Sequence, residues 1–479
     1  MVAKKRITKE LIDIVGDEWV STDPEDIIPF SRDNMTWVHG TGMADYAVVP
    51  GSVEETQKVV RLANKHKIAV TVVTWGTNTT GIAIPRRGGI LLVMRRLNRV
   101  LEINEETMTA TIEPGVTHGK LLKACLGKSV RPLHIIGCPC GSALAIPFYG
   151  VNAFTGRYGF DRIIGIEMVL PNGELIRTGS WANPGCEKIN PYNRRGAGPD
   201  LAALNYANWA FGVFTKGILR LAPRQEVSEY ILAGFHDLEP LLRAMLKIEK
   251  RDITLGANFV SRGYFARVIA PRVEILKDPV ELEKFQGSLP RHILQLYVAG
   301  TAEQVELYKK LIEKDLSEYN GVIMHLTGRM KEKADLQAWG SGLAENREFI
   351  VPIEETPSWG TFPVILRMRE IMEELYKNYD VRDNATGKPA EIDYWGQSVE
   401  RCTQIFMNQS MQFDPRRPET IERAKNCYFE FFARTIGEGN AMPLFGAQSA
   451  ESVRIVKEIK KMVDPNGIFG GIIPLELPF

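Results

Sequence analysis

The chain has 479 residues, of which 44% are hydrophobic and 24% charged, and its formal net charge is +1. The length predicts two or three domains, and the balanced charge argues against nucleic acid or an anionic membrane surface as a general partner. No apolar run approaches the roughly 20 residues that span a bilayer, and Met1–Val15 lacks the apolar core of a signal peptide. A cytoplasmic location is expected, and six cysteines in so long a chain fit a reducing compartment.

The first elements predict a β-α-β unit. A helix over Lys9–Asp17 precedes a short strand over Tyr46–Pro50. Ser52–His66 has a serine that can cap a helix, acidic residues in its first turn and an apolar face. A β-branched strand follows over Ile68–Thr74. A strand, a helix and a strand in this order are typical of parallel strands with a covering helix.

The second strand of this unit breaks into a loop of small hydroxyl, amide and glycine residues, Thr74–Gly81. Such a loop leaves backbone N–H groups uncovered, and its glycines let a ligand approach the chain closely. The loop is therefore a candidate cradle for a phosphate or pyrophosphate, although turns of this composition are also common without any ligand.

Further strands and two helices are predicted before residue 225. The strands are Gly89–Met94, Val100–Asn104, Thr109–Ile112, the hairpin Arg162–Leu170 with Leu175–Thr178, and Phe211–Leu221, and the helices are Thr117–Leu126 and Ala197–Trp209. The segment Ile135–Gly159 lies between the predicted helix Thr117–Leu126 and the predicted hairpin. It is too irregular for a helix and too apolar for a surface loop, so we expect it to pack against a bound partner. Its Cys138-Pro139-Cys140 is interpreted as a tight turn, because no second pair stands at metal-ligand spacing.

From residue 226 the pattern changes to two strand-helix-strand passes, which predict an α+β cap domain. The predicted strands are Glu226–Phe235, Asn258–Ile269, His292–Ala299 and Val322–Leu326, and the helices are Asp237–Arg251 and Ala302–Tyr319. Within Tyr394–Asn408, Trp395 and Phe406 are candidates to line a pocket, although such aromatic residues more often belong to a core.

Many short motifs over residues 46–224 and near the C-terminus occur together in one order. They are Val49-Pro50, Gly76–Gly81 followed by Pro85, Leu97-Asn98, Glu113-Pro114-Gly115-Val116, Gly141-Ser142, Tyr158-Gly159, Gly165–Gly179, Gly198-Pro199, Phe211–Lys216 and Val463–Phe469. In these motifs the chain resembles the flavoproteins of the vanillyl-alcohol oxidase and p-cresol methylhydroxylase type. The resemblance implies an α+β fold with a two-part PCMH-type FAD-binding domain and a cap, or substrate, domain with an antiparallel sheet.

The resemblance also implies domain bounds and FAD contacts. The FAD-binding domain would cover residues 1–225 (core 46–224), the cap 226–427, and a returning C-terminal segment 428–479. The residues expected to bind FAD are Thr74, Trp75, Gly76, Thr77, Asn78, Thr79, Thr80, Gly81, Pro85, Gly137, Pro139, Cys140, Gly141, Ser142, Ile146, Gly150, Asn152, Phe211, Gly212 and Val213. The FAD is expected to be non-covalent, because no histidine stands in the opening loop.

The resemblance is weaker for the substrate chemistry. The phenol-oxidising members hold a phenolate with two tyrosines and an arginine; here Ala433 stands where a tyrosine would be, and Arg434 is kept. Arg434 is a candidate to hold a carboxylate or phenolate, and Glu438 to accept a hydroxyl proton. An ion pair at the domain junction is the alternative role for these two residues.

Taken together, these features predict an FAD-dependent oxidoreductase that dehydrogenates a small organic alcohol or hydroxy acid by hydride transfer to flavin N5. Electrons would pass to an external acceptor or a partner electron-transfer subunit, within a homo- or hetero-oligomer. Two alternatives stay open at this point. One is a flavin-dependent transferase of the alkyl-glycerone-phosphate-synthase type, for which Arg194-Arg195 is the visible basic pair, and the other is an FAD-carrying electron-transfer subunit.

Overall fold

The computed structural model describes residues 2–33, 36, 40–76, 81–133, 141–145, 159–186, 210–272, 274–340, 353–382, 387–412, 417–436, 438 and 450–470. Its helices are α1 (Val2–Val15), α2 (Pro24–Ile27), α3 (Val53–His66), α4 (His118–Ala124), α5 (Leu238–Glu249), α6 (Arg262–Ile269), α7 (Glu274–Lys277), α8 (Pro279–Gly287), α9 (Ala302–Ser317), α10 (Gly328–Gly340), α11 (Phe362–Asn378), α12 (Pro418–Ile436) and α13 (Ala450–Val463). In these ranges no helix combines the length and the apolar character that crossing a membrane requires.

Among the described residues the strands form three sheets. They are β1 (Val20–Ser21), β2 (Tyr46–Val48), β3 (Val70–Val73), β4 (Ile90–Val93), β5 (Val100–Asn104), β6 (Thr109–Ile112), β7 (Val130–Pro132), β8 (Ile163–Val169), β9 (Leu175–Arg177), β10 (Val213–Pro223), β11 (Val227–Phe235), β12 (Gly256–Ser261), β13 (His292–Gly300), β14 (Val322–Ile323), β15 (Ile353–Gly360), β16 (Asp393–Val399) and β17 (Gln404–Gln412).

The first sheet has the order β1-β2-β4-β3 and contains the predicted β-α-β unit. Strands β2 and β3 run parallel to β4, which lies between them and is buried along its whole length. A continuous apolar strand suits this central position, because both of its faces are covered. Helix α3 begins as predicted, with Ser52 Oγ accepting a hydrogen bond from Glu55 N at 3.0 Å.

The C-terminal segment adds to this first sheet beside β3. Val70 N donates to Ile468 O at 2.8 Å, and Val70 pairs with Phe469 as a parallel bridge. The buried carboxylate of Asp464 accepts from the backbone N–H groups of Ile468 and Phe469 at 3.0 and 2.9 Å. These bonds fix the end of α13 against the strand that leads into the Thr74–Gly81 loop.

The second sheet is antiparallel, with the order β5-β6-β10-β8-β9, and β7 pairs with the far end of β10. The predicted hairpin is confirmed as β8 and β9. Its turn contacts the first sheet's helix, since Gln57 Nε2 and Arg61 Nη2 of α3 both donate to Gly173 O, at 2.8 and 3.0 Å. The two sheets are thereby held together at the edge of α3.

The third sheet belongs to the predicted cap and has the order β14-β11-β13-β12-β16-β17-β15, with every pairing antiparallel. Helices α5, α9, α11 and α12 bury one face in a large apolar core. Helices α6 and α10 pack on the other face, around Leu232, Val260 and Ile293. The two faces therefore differ in what packs on them.

The strand predicted over Asn258–Ile269 is wrong in its second half. Strand β12 ends at Ser261, and α6 begins with the next residue. The Ser261 hydroxyl accepts from Tyr264 N at 3.1 Å and so caps the helix. The serine cap decides that a helix follows the strand, because the apolar residues after Ser261 fit the periodicity of a helix as well as that of a strand.

Candidate FAD and substrate site

The loop after β3 is fixed to the turn that follows β6. Trp75 Nε1 donates to Gly115 O at 2.8 Å, while Gly115 N donates to Leu97 O at 2.7 Å. A Cβ on Gly115 would lie 2.7 Å from Leu97 O, so the turn requires glycine here. The Glu113-Pro-Gly115 turn thus positions Trp75, one of the residues predicted to bind FAD.

Gly141 and Ser142 lie beside the same turn. Ser142 Oγ donates to Pro114 O at 2.5 Å and accepts from Ala145 N at 3.0 Å. The main chain adds a bond from His118 N to Gly141 O at 3.0 Å. Because the Ser142 hydroxyl is engaged by the protein, its observed contacts position the backbone of this segment.

Phe211–Val213 enters the second sheet at the start of β10. Phe211 packs in the same apolar cluster as Val116 and Leu144, which links it to the turn and to the Gly141–Ala145 segment. Gly212 has a φ of 151°, and a Cβ there would lie 2.2 Å from Val169 O. The structure therefore brings three of the predicted FAD-binding stretches around one turn.

Gly81 and Pro85 lie where the chain leaves the opening loop. Gly81 has a φ of 76°, and its N–H donates to Asp33 Oδ2 at 2.8 Å. Pro85 is buried, and its carbonyl accepts from Gly88 N at 3.1 Å. Ten predicted FAD contacts lie outside the described residues, namely Thr77, Asn78, Thr79, Thr80, Gly137, Pro139, Cys140, Ile146, Gly150 and Asn152, as do Ala197–Trp209 and Arg194-Arg195.

A buried cation lies next to residue 133, after which the predicted flavin segment begins. Arg162 is 5% exposed, and burial lowers the pKa of its guanidinium to about 9. Its Nη1 donates to Leu133 O, whereas its Nε and Nη2 have no hydrogen-bond partner. This arginine supplies positive potential at that point of the second sheet.

The described residues fit FAD at the end of β3. Trp75 and Gly76 are exposed there, and Gly76 has a φ of 72° and no side chain to obstruct a ligand. A loop at the carboxyl end of a parallel strand, with an uncovered glycine, is a favourable place for a pyrophosphate. In the same described ranges no group of three or more His, Cys, Asp or Glu side chains is arranged to hold a metal.

Arg434 and Glu438, the predicted catalytic residues, take part in ion pairs between α11 and the end of α12. Arg434 Nη2 lies 2.5 Å from Glu374 Oε2, and Glu438 Oε2 lies 2.7 Å from Arg367 Nε. These contacts lower the pKa of Glu438, chiefly through the Arg367 hydrogen bond. The two residues do not pair with each other in these contacts, and their catalytic roles stay a prediction.

The cap contains a cavity of about 610 Å³ that was not predicted from the sequence. It lies against a hydrogen bond between His292 Nδ1 and the Tyr394 hydroxyl, at 2.5 Å, and Arg369 and Glu373 of α11 form part of its wall. Burial, with smaller contributions from Arg369 and Arg291, lowers the pKa of His292 to about 4. Its ring is therefore neutral near pH 7, and Nδ1 can accept a hydrogen bond from the Tyr394 hydroxyl.

Trp395 and Phe406, the predicted pocket residues, touch each other with ring centroids 5.0 Å apart. They lie on the cap-sheet face away from the large helical core, beside a set of buried amide side chains that the sequence analysis missed. These are Asn258, Gln295, Gln397 and Asn408. The available signal was a single amide within each of the mainly apolar or aromatic strands β12, β13 and β16, next to the amide-rich strand β17.

Comparison with known proteins agrees with this architecture. Residues 44–179 match the family described as FAD binding domain. Over its whole length the chain takes the fold of p-cresol methylhydroxylase, with a TM-score of 0.83, 20% identity, and coverage of 98% of this chain and 96% of the other.

Two curated relatives match nearly end to end. One is glycolate oxidase subunit GlcD of Bacillus subtilis, 24% identical over 97% of this chain and 95% of the relative. Another is the flavoprotein subunit of 4-cresol dehydrogenase (hydroxylating) of Pseudomonas putida, 24% identical over 95% of this chain and 92% of the relative. The chain is thus an FAD-dependent oxidoreductase with FAD as its cofactor, and its FAD-binding domain and fold resemble those of p-cresol methylhydroxylase.

Proposed function

We propose that the protein dehydrogenates a small organic alcohol or hydroxy acid and passes the electrons to an external acceptor or a partner subunit. The observation that carries this proposal is the convergence of Trp75, Gly141-Ser142 and Phe211 around the Glu113-Pro-Gly115 turn. These stretches are the ones expected to hold FAD, which, when bound, supplies the hydride acceptor for the substrate carbon.

The protein's own part in this reaction is positional. The turn and its hydrogen bonds hold the loop after β3, and the buried Arg162 supplies positive charge beside Leu133. The cap sheet supplies a surface against which a substrate is oriented, which is how binding energy becomes rate. The relatives named above are themselves subunits, which supports a partner for electron transfer.

The test begins with the visible spectrum of the purified protein. We expect flavin bands near roughly 370 and 450 nm, and release of the flavin into solution on denaturation if it is non-covalent. Alcohols and hydroxy acids are then added without oxygen, and we expect one class to bleach the 450 nm band. A dye that accepts electrons should restore it.

Two results would contradict the proposal. Absence of flavin bands from the spectrum of the purified protein would show that it holds no FAD, on which the proposed reaction depends. A bound flavin that stays oxidised with every alcohol and hydroxy acid, but is reduced by a co-purifying protein, would assign the chain to electron transfer instead. Gel filtration of the purified protein, alone and with co-purifying proteins, tests the expected oligomer.

A further inference from the structure

We propose that Asn258, Gln295, Gln397 and Asn408 form an amide row that binds the substrate, and that the substrate is an uncharged, hydroxyl-bearing molecule. The inference rests on the proposed function, because the molecule bound by the row is the one to be dehydrogenated. It deepens that function by choosing a neutral alcohol over a carboxylate or a phenolate.

Strand register places these amides next to one another. Asn258 of β12 lies directly opposite Gln295 of β13 on one side and Gln397 of β16 on the other. On β17, Asn408 is two residues beyond Phe406, the partner of Gln397, and so lies on the same face at a diagonal position. Residues opposite each other in antiparallel strands have Cβ atoms about 5 Å apart, which is close enough to touch one ligand.

The amide row faces away from the main helical core of the cap. Ala257 and Phe259, on either side of Asn258, both pack in the core beneath α5, α9, α11 and α12. Because successive side chains in a strand point to opposite faces, Asn258 and its cross-strand partners point the other way. This is the face on which α6 and α10 pack.

The amides are buried but leave hydrogen-bonding atoms unused. All four side chains are at most 2% exposed. No hydrogen bond reaches Asn258 Oδ1, Asn408 Oδ1 or either amide atom of Gln397. Buried polar groups in native proteins are nearly always satisfied, and leaving one unsatisfied is costly. Three neighbouring exceptions on one sheet face point to a ligand that completes them.

The unused atoms define the chemistry of that ligand. Gln397 offers both a donor and an acceptor, whereas Asn258 and Asn408 each offer an acceptor oxygen. An anion would meet these oxygens unfavourably, but a hydroxyl group can both donate and accept. Among the described residues near this face, Asp393 pairs with Arg267, and Lys333 donates to the carbonyl of Ala270.

An aromatic surface adjoins the row. Trp395 and Phe406 are in contact, and Phe406 lies directly opposite Gln397. Such rings suit the carbon skeleton of an alcohol, while the amides bind its hydroxyl groups. The combination favours a neutral diol or a related ring-bearing alcohol.

The experiment compares alcohols with acids of the same skeleton. The probes are 1,2-propanediol against lactate and 1-phenyl-1,2-ethanediol against mandelate, each added to the oxidised holoprotein without oxygen. We expect the diols to bleach the flavin with a kcat/KM at least about 10-fold above that of the acids. Gln397→Leu should lower the value for the diols by about 10-fold and leave the melting temperature unchanged or higher, because it removes an unsatisfied amide.

Gln409→Leu is the matched control. Gln409 is the next residue after Asn408 and lies opposite Tyr394 on the helical face, where its amide donates to Met368 O at 3.4 Å. The same chemical change there should leave the preference for diols intact. If Gln397→Leu does not fold, Asn408→Leu gives the same comparison.

The outcomes separate this inference from the proposed function. Preference for the acids, or an equal loss in Gln397→Leu and Gln409→Leu, overturns the amide row. If none of the probes bleaches the flavin, the protein does not dehydrogenate these molecules. The amide row is then tested by whether the diols bind to the oxidised protein. A perturbation of the flavin spectrum by the diols that is lost in Gln397→Leu supports the row, and its absence, or its persistence in the variant, overturns it.

Discussion

The indole N–H of Trp75 donates to the carbonyl of Gly115 at 2.8 Å, across 40 residues of chain. This bond joins the loop at the end of the parallel strand β3 to the turn that ends β6 in the antiparallel sheet. It therefore connects the two sheets of the FAD-binding domain at the place where the predicted pyrophosphate loop begins.

Trp75→Phe should weaken FAD binding about fivefold. The substitution keeps an aromatic ring but removes the donor, and one neutral hydrogen bond contributes about 1 kcal/mol. FAD titration of the apoprotein, followed by flavin fluorescence, measures the dissociation constant. Trp181→Phe is the control, because Trp181 packs on Ile164 and Ile218, in a separate small apolar cluster. An unchanged FAD affinity in Trp75→Phe would contradict the role given to this bond.

Gly212→Ala should destabilise the protein by about 2–4 kcal/mol and release FAD more readily. The backbone has a φ of 151°, and the new Cβ would lie 2.2 Å from Val169 O, a backbone atom with little freedom to move. Thermal unfolding followed by flavin fluorescence measures both effects. Gly287→Ala, at the end of α8 with no atom within 4 Å of its added Cβ, should change the melting temperature little. Equal effects at the two positions would refute the steric argument.

Stability should depend on the protonation of His292. Burial lowers its pKa from the ordinary value of 6.5 to about 4, so between these values the unfolded chain binds the proton more readily than the folded protein. The contribution of neutral His292 to the free energy of unfolding is complete above pH 6.5 and is lost as the pH falls towards 4. Between pH 6.5 and pH 5 this amounts to about 2 kcal/mol.

His292→Asn tests this dependence, because its amide oxygen can accept the Tyr394 hydroxyl without titrating. Urea unfolding at pH 6.5 and pH 5 should give a smaller loss of stability in His292→Asn than in the wild type. His325→Asn, at an exposed position, should lose as much as the wild type does. The same loss in all three proteins would show that His292 does not titrate in this way.

Arg434 and Glu374 provide a test of the predicted catalytic role. Since the guanidinium is already engaged by the Glu374 carboxylate on the outside of two helices, we expect Arg434→Gln and Glu374→Gln to change the rate of substrate-driven flavin reduction by no more than about threefold. A loss of about 100-fold confined to Arg434→Gln would establish the catalytic role predicted from the sequence. Glu438→Gln and Arg367→Gln form the corresponding pair.

Much of the FAD-binding domain follows from local sequence. The Ser52 cap, the apolar strand β4 and the hairpin turn around Gly173 each depend on neighbouring residues, so each was predictable from pattern alone. The order of the motifs likewise predicted the cofactor, because a loop that binds FAD needs particular small residues at fixed places along the chain.

The cap required the tertiary structure. Residues 258, 295, 397 and 408 are far apart in sequence and become neighbours only through the register of four strands. Register is set by long-range pairing and by which face is buried, and neither is encoded in a short segment. The same holds for Arg434 and Glu438, whose partners Glu374 and Arg367 are supplied by a helix about 60 to 70 residues earlier. The sequence alone therefore determined the cofactor and the class of protein, whereas the three-dimensional arrangement decided which side chains meet where a substrate is proposed to bind.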